Sequence, residues 1–468
     1  MGMGVSNWRL ANTVSRLGHL GVVSGTAIDT IIARRLQDGD PGGHLRRALE
    51  HFPAPKIAAK FLSKYFRPGG RPPGTPYRRI PMFSFAPPPE VFELSVVANF
   101  TEVFLAKEGH HNPVGINLLH KIQFPNLSSL YGAMLAGVDY VIMGAGIPRD
   151  IPSILDKFAY HKPAEMKIPI LGTGEKEEGI LRFDPASVTG EKLPPLQRPF
   201  FLGIVSSAVL ASSLALKCES RVNGFIVEGA LAGGHNAPPR GPLALNTRGE
   251  PIYGPRDEIN LGKIKAIGRP FWLAGSCATP EKLAQARACG AAGVQVGTAF
   301  AYCRESAMAE RVKQEVLELA RRGEVDIFTD PVASPTKFPF KVVRLQGSMS
   351  DPEEYALRGR VCDLGYLRSA YRRPDGGIGY RCAAELQANY IRKGGVPEEV
   401  IGRKCLCNGL LAAIDLAQIQ GHSYKERPLV TSGEDLRGIT RFLKQMGPSY
   451  SAQDVIDFIL QPVEAALP

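Results

Sequence analysis

Residues 271–298, FWLAGSCATPEKLAQARACGAAGVQVGT, hold the unit on which the fold turns. A short apolar run, 271–274, ends in the small residues Gly275 and Ser276. Thr279 then stands where a helix cap belongs, with Pro280 at the first helical position and Glu281 near the positive end of the helix dipole. After the helical stretch 280–289, a second apolar run, 293–296, ends in another small turn at Gly297 and Thr298. Strand, turn, helix and strand in that order specify a parallel pair joined by a crossover.

Working outward, the same alternation recurs. Apolar runs at 20–24, 114–118, 140–143, 200–205 and 224–228 bring the number to seven, and helical stretches at 8–17, 127–136 and 208–217 fall between them. Seven runs are one short of an eight-stranded (β/α)8 TIM barrel, the predicted α/β fold. Its first strand should precede the 8–17 helix, where only residues 1–5 stand. Either that strand is very short or the start omits residues of it. The barrel is expected over 1–303, with an insertion at 27–108 after strand two. That insertion has helical patterns at 45–52, 56–66 and 90–107 around a Pro/Gly/Arg-rich piece, 67–79. A hairpin-like excursion is expected at 168–198, on turn signals at Gly172-Thr173-Gly174 and Val188-Thr189-Gly190. After residue 304 the strand signal ceases. Stretches 305–322, 352–370, 379–393, 397–401 and 410–418 read as helices, so 304–468 is expected to be a mainly helical C-terminal extension.

Composition narrows the function classes. The chain has 468 residues, 44% hydrophobic and 22% charged, enough to exclude global disorder. A net charge of +11 suits nucleic acid, a membrane surface or an anionic cofactor. No stretch interleaves aromatic and basic residues as a stacking platform would, which argues against nucleic acid. No run of 18 or more apolar residues offers a membrane span, and no signal-peptide pattern follows the start. Eight scattered cysteines fit a reduced, cytoplasmic setting. Cys405 and Cys407 form a C-x-C without a second pair or a histidine at ligand spacing, and His110-His111 are adjacent loop residues, so no metal site is expected.

In a β/α barrel the ligand lies at the C-terminal ends of the strands, with phosphate commonly held after strands seven and eight. Those loops carry Gly275-Ser276 and Gln295-Val296-Gly297-Thr298, whose small residues let backbone N–H groups approach an anion. Together they predict a cradle for one phosphate monoester. The loop after strand six runs from Glu228 through Ala232-Gly233-Gly234-His235-Asn236. Gly233 and Gly234 leave room beside a flat ligand, and His235 at an ordinary pKa would exchange protons near neutral pH. Alternatively, His235 makes an ordinary structural hydrogen bond. Asn117, a polar amide inside the third strand, could donate to a carbonyl of a planar heterocycle or bridge neighbouring strand ends. Gly144-Ala145-Gly146 lacks the third glycine of a dinucleotide fingerprint. Arg67, Arg71, Arg78 and Arg79 belong either to a solvated loop or to a lid for a phosphorylated or carrier-borne substrate.

Four pieces of the chain carry a family resemblance: residues 10–15 with 20–23; Gly115-Ile116-Asn117-Leu118; Ala232-Gly233-Gly234-His235; and Val294-Gln295-Val296-Gly297-Thr298-Ala299-Phe300. In combination the sequence resembles the nitronate monooxygenases and the related FMN-dependent enoyl-ACP reductases. The resemblance implies a barrel with non-covalent FMN. Asn117, Glu228, Gly233, Gly275 and 295–298 then match flavin-contacting positions, and His235 matches the family's base. The implied activity is oxidation of alkyl nitronates with dioxygen. The alternative is NAD(P)H-dependent reduction of an enoyl thioester, as in polyketide or polyunsaturated fatty-acid synthesis, with an acyl carrier protein as a possible partner. The chain departs from the family pattern at Glu228, where many members carry Gln; at Gly275-Ser276, where Gly-Gly is common; and at Asn236-Ala237. Oligomeric state is left open.

Overall fold

In chain order the first strands are β1 (Gly21–Ser24), β2 (Val114–Leu119), β3 (Tyr140–Gly144), β4 (Ala164–Leu171), β5 (Glu177–Phe183), β6 (Phe200–Val205) and β7 (Gly224–Glu228). They are followed by β8 (Gly234–His235), β9 (Phe271–Ala274), β10 (Gly293–Gln295), β11 (Ile327–Asp330), β12 (Phe340–Val343), β13 (Ser369–Arg372) and β14 (Ile378–Arg381). This is a computed structural model, and it describes residues 2–172, 177–190, 193–421, 423–443 and 447–463. The turn expected at Gly172-Thr173-Gly174 therefore lies largely outside the described residues.

A seven-stranded parallel sheet of order β1-β2-β3-β6-β7-β9-β10 forms the centre. β2 is buried along almost its whole length, the state in which a parallel strand reads as an unbroken apolar run. Alternation sorts the side chains. Val141, Phe201, Phe225 and Phe271 enter the large outer core. Ile142, Leu202, Ile226 and Ala274 form a separate inner cluster with Leu20, Val22 and Trp272. β1 and β10 are the two ends of the sheet, yet Val22 and Val294 line the same cavity as Ile142 and Ile226. The sheet is therefore curled, with its inner face turned on that cavity.

The expected eighth strand is not formed. Among the described residues nothing before Trp8 is a strand, because the helix Trp8–Arg16 begins there, capped by Asn7, whose Oδ1 accepts from Leu10 N at 3.1 Å. What stands in the first strand's place is a turn tied to β1. Ser24 N donates to Ser6 O at 2.8 Å, and Ser6 Oγ donates to Val22 O at 2.6 Å. The seam between β1 and β10 is consequently lined by side chains of α-helices, among them Leu10, Val14, Ile456 and Ile459.

Between β1 and β2 stand the helices Ile28–Gln37, His44–Glu50, Pro55–Tyr65 and Pro89–Lys107. Pro89–Lys107 packs so closely on the helix Gln123–Leu135 that a Cβ on Gly132 would stand 2.3 Å from the Val96 carbonyl oxygen, a contact only glycine allows. The arginines of 67–79 are largely committed within the fold. Arg71 bonds Asp38 at 3.0 Å and lies over the Tyr77 ring, Arg78 donates to the Lys64 carbonyl at 3.3 Å, and Arg79 donates to Gln420 at 3.0 Å.

Beyond residue 304 the structure differs from the helical expectation. The helix Glu310–Arg321 is present, but 352–370 holds only the helix Pro352–Ala356 and the start of β13, and 379–393 holds most of β14 and the helix Gln387–Arg392. These strands are four residues long and pair with distant segments. β13 lies parallel to β4, extending the β4–β5 hairpin into a sheet of order β14-β13-β4-β5. β12 lies between β11 and β8, with Phe340 opposite His235 and Lys341 opposite Gly234. Pairing at such separations is set by tertiary packing, and strands this short leave little period in the sequence.

Candidate active site

One cavity of about 420 Å³ opens on the inner face of the curled sheet, within the range of small-molecule and cofactor sites. Two turns at strand ends supply much of its polar wall. After β9 the chain turns left-handed twice, at Gly275 with φ +98° and at Ser276 with φ +55°. For Gly275 this is ordinary, whereas for Ser276 it is a conformation that side chains seldom adopt. The hydroxyl placed by that turn is buried and has no hydrogen-bond partner. The helix Pro280–Ala288 follows, with Thr279 Oγ1 accepting from Lys282 N at 3.3 Å as its sequence predicts.

After β10, Gln295, Val296, Gly297 and Thr298 line the same cavity. Thr298 Oγ1 accepts from Gly433 N at 2.9 Å, so its own O–H remains available to donate. Glu228, Gly233 and Gly234 complete the set of predicted residues on this wall. Gly233 is packed so tightly on a C-terminal segment that a Cβ there would stand 2.7 Å from Gly433 N. Gly234, at φ +81°, donates its N–H to Thr431 Oγ1 at 2.8 Å.

Asn117 and His235 are not among the residues lining the cavity. Asn117 takes the strand-bridging alternative, its Nδ2 donating to the Ile142 carbonyl across the β2–β3 pair at 3.3 Å. His235 sits one residue beyond Gly234, with Nε2 2.7 Å from Ser334 Oγ and its ring edge-on to Phe340. Burial, reinforced by the charge of Lys121, pushes its imidazole down to about 3. That direction favours a neutral ring, against the expectation that His235 exchanges protons near neutral pH, and leaves the Ser334 contact as what the ring makes here.

The groups that titrate near neutrality are different. Glu228 closes β7 on the inner face, and burial pushes its carboxyl up to about 7. Lys121 follows directly on β2 and His120. Its Nζ is buried without a hydrogen-bond partner, lies against the Phe338 ring, and is pushed down to about 7 by desolvation. Groups that burial shifts toward neutrality are ordinary equipment of acid–base sites. Lys121 escaped the sequence reading, although its position at the end of a sheet strand was a usable signal. Thr431, Ser432 and Gly433 also line the cavity, and no local signal in the sequence ties them to the sheet.

No protein-family model matches the chain, and no curated protein matches it. Solved structures similar to it include FabK from Thermotoga maritima, at 14% identity and TM-score 0.48, covering 98% of this chain and 90% of that one. Nitroalkane oxidase from Streptomyces ansochromogenes is similar at 12% identity and TM-score 0.45, covering 98% and 92%. The enoyl reductase domain of MlnA, from the macrolactin biosynthesis cluster of Bacillus amyloliquefaciens, is similar at 12% identity and TM-score 0.46, covering 98% and 90%. A nitroalkane oxidase and an enoyl reductase are thus both among the structures similar to this chain.

Proposed function

We propose that this protein is an FMN-dependent oxidoreductase of the nitronate monooxygenase type, oxidising alkyl nitronates with dioxygen. The observation that carries the proposal is the Gly275–Ser276 turn, which buries a hydroxyl without a partner on the wall shared with Gly297 and Thr298. Leaving such a group unpaired costs about 1–3 kcal/mol, and a phosphate oxygen would satisfy it. The phosphate of FMN would be held by Ser276, by the Thr298 hydroxyl and by backbone N–H groups of both turns. Gly233 and Gly234 would leave room for the flat ring, with Glu228 and Gln295 beside it.

When bound, FMN supplies the electron transfer and the contact with dioxygen. The remaining work falls to side chains. Lys121, whose buried Nζ has no hydrogen-bond partner, does not line the cavity and would act on an anionic substrate only through its charge. His235 stands outside the cavity lining, where its contact with Ser334 would fix the segment that follows Gly234. Glu228, whose carboxyl burial pushes up to about 7, would take or return a proton at the inner wall.

The test is direct. Purified protein is expected to carry FMN, or to take it up on reconstitution, and to oxidise an alkyl nitronate aerobically without NAD(P)H. Rapid NADPH oxidation with an enoyl thioester and no nitronate turnover would instead place the chain among enoyl reductases, with a carrier protein as partner. Failure to bind FMN under any of these conditions overturns both.

A further inference from the structure

Among the described residues two carboxyl side chains line the cavity, Glu228 and Asp435. Asp435 comes from the far C-terminal region. It stands in the first turn of the helix Glu434–Phe442, whose Leu436, Ile439 and Phe442 are buried in the outer core. Main-chain bonds fix the position of that turn. Gly433 N donates to Thr298 Oγ1 at 2.9 Å and Glu434 N to the Leu231 carbonyl at 3.0 Å, so the helix begins on the loops that follow β10 and β7. Lys341 Nζ adds a bond to Glu434 Oε1 at 3.0 Å.

Arg441, in the last turn of the same helix, holds the Asp435 carboxylate in place. Its Nη2 donates to Asp435 Oδ1 at 3.1 Å, and the Asp435 side chain is only 10% exposed. The other neighbours belong to the turn after β9: the Ala278 backbone favours the ionised carboxyl, and Cys277 feels its charge. Asp435 therefore stands against the turn that carries the unpartnered Ser276 hydroxyl. An ionised carboxyl offers about four acceptor positions and no donor, so it has capacity left beyond Arg441 and Ala278. A phosphate at neutral pH brings only acceptors and negative charge, and facing this carboxylate directly would be repulsive. A neutral hydroxyl brings the donor that the carboxylate can use.

We propose that Asp435 accepts a hydrogen bond from a hydroxyl of the ligand's sugar-alcohol chain, beside the phosphate cradle, and that Arg441 is the positioning residue that holds it there. The assignment rests on the FMN reading above and extends it. In FMN the ribityl chain joins the flat ring to the phosphate, and its hydroxyls are the neutral donors between those two parts. Ser276 and Thr298 on one side and Asp435 on the other would then recognise phosphate and polyol through opposite hydrogen-bonding roles.

The test compares three flavins on the full chain freed of flavin, each titrated by fluorescence: FMN, riboflavin, which lacks the phosphate, and lumiflavin, which lacks the ribityl chain. Asp435→Ala should weaken FMN and riboflavin by at least about ten-fold, as loss of a hydrogen bond to a charged group requires, and leave lumiflavin unchanged. Ser276→Ala should instead weaken FMN alone. Arg441→Gln should repeat the Asp435→Ala pattern more weakly, and Arg441→Lys should restore part of the loss. Should Asp435→Ala be insoluble, Asp435→Asn keeps the shape, removes the charge and carries the same comparison. FMN and riboflavin affinities unchanged in the Asp435 variants, a loss shared by lumiflavin, or a rise in FMN affinity, the sign of a carboxylate facing the phosphate, overturns the assignment while FMN binding by the unaltered chain stands. An unaltered chain that binds none of the three overturns the FMN reading and this inference with it.

Discussion

Replacing Glu228 by glutamine should stabilise the protein, and by an amount that depends on pH. The carboxyl is raised from 4.5 to about 7 by burial on the inner face of the sheet. The folded chain therefore keeps a proton that the unfolded chain releases between those values, and stability falls as pH rises through that window. The shift of about 2.5 units corresponds, at 1.36 kcal/mol each, to about 3 kcal/mol when both states are fully ionised at pH 8. At pH 5 only about 1 kcal/mol of that cost has developed. Glu228→Gln keeps the shape and cannot ionise, so its advantage over the parent should grow by about 2 kcal/mol between pH 5 and pH 8. Urea unfolding of both proteins across that range reads the difference through the midpoints, provided the slopes agree. A stability difference that is the same at pH 5 and pH 8, or that shrinks as pH rises, refutes the placement of a buried, protonated carboxyl at the end of β7.

Three other outcomes are expected. Ser276→Ala removes a hydroxyl without a partner, so thermal stability should hold or rise slightly while FMN affinity, read by fluorescence titration, falls at least ten-fold, as loss of a hydrogen bond to a charged group requires. Gly233→Val puts a side chain where 2.7 Å separates a Cβ from Gly433 N, and should cost about 1–3 kcal/mol in denaturant unfolding by pushing the 431–433 segment off the cavity. The His235 ring should show no titration by NMR between pH 5 and pH 8, because burial holds its pKa near 3; a midpoint near 6.5 would place the ring in water.

The boundaries of the central sheet were legible because buried parallel strands write themselves as continuous apolar runs. The run read at 114–118 is β2, Val114–Leu119, and that read at 200–205 is β6, Phe200–Val205. The helix after β9 was legible for another local reason, since Thr279 and Pro280 are a cap and a first turn wherever they stand. The strands beyond residue 304 were not. Ser369–Arg372 and Ile378–Arg381 carry charged and polar residues in four-residue segments, and β13 owes its state to pairing with β4 some two hundred positions away.

The sequence alone determined which residues face the cavity after β9 and β10, because capping, glycine turns and strand period act over a few neighbouring residues. Tertiary structure alone decided what those residues and their neighbours can do. His235 is set opposite β12 and pushed down by burial beside Lys121, Glu228 is pushed up by desolvation at the end of β7, and Cys362 and Cys382 reach Cys405 and Cys407 only through the folded C-terminal region. Desolvation and charge depend on what surrounds a group from every direction, and most of those surroundings come from segments a hundred or more residues distant along the chain.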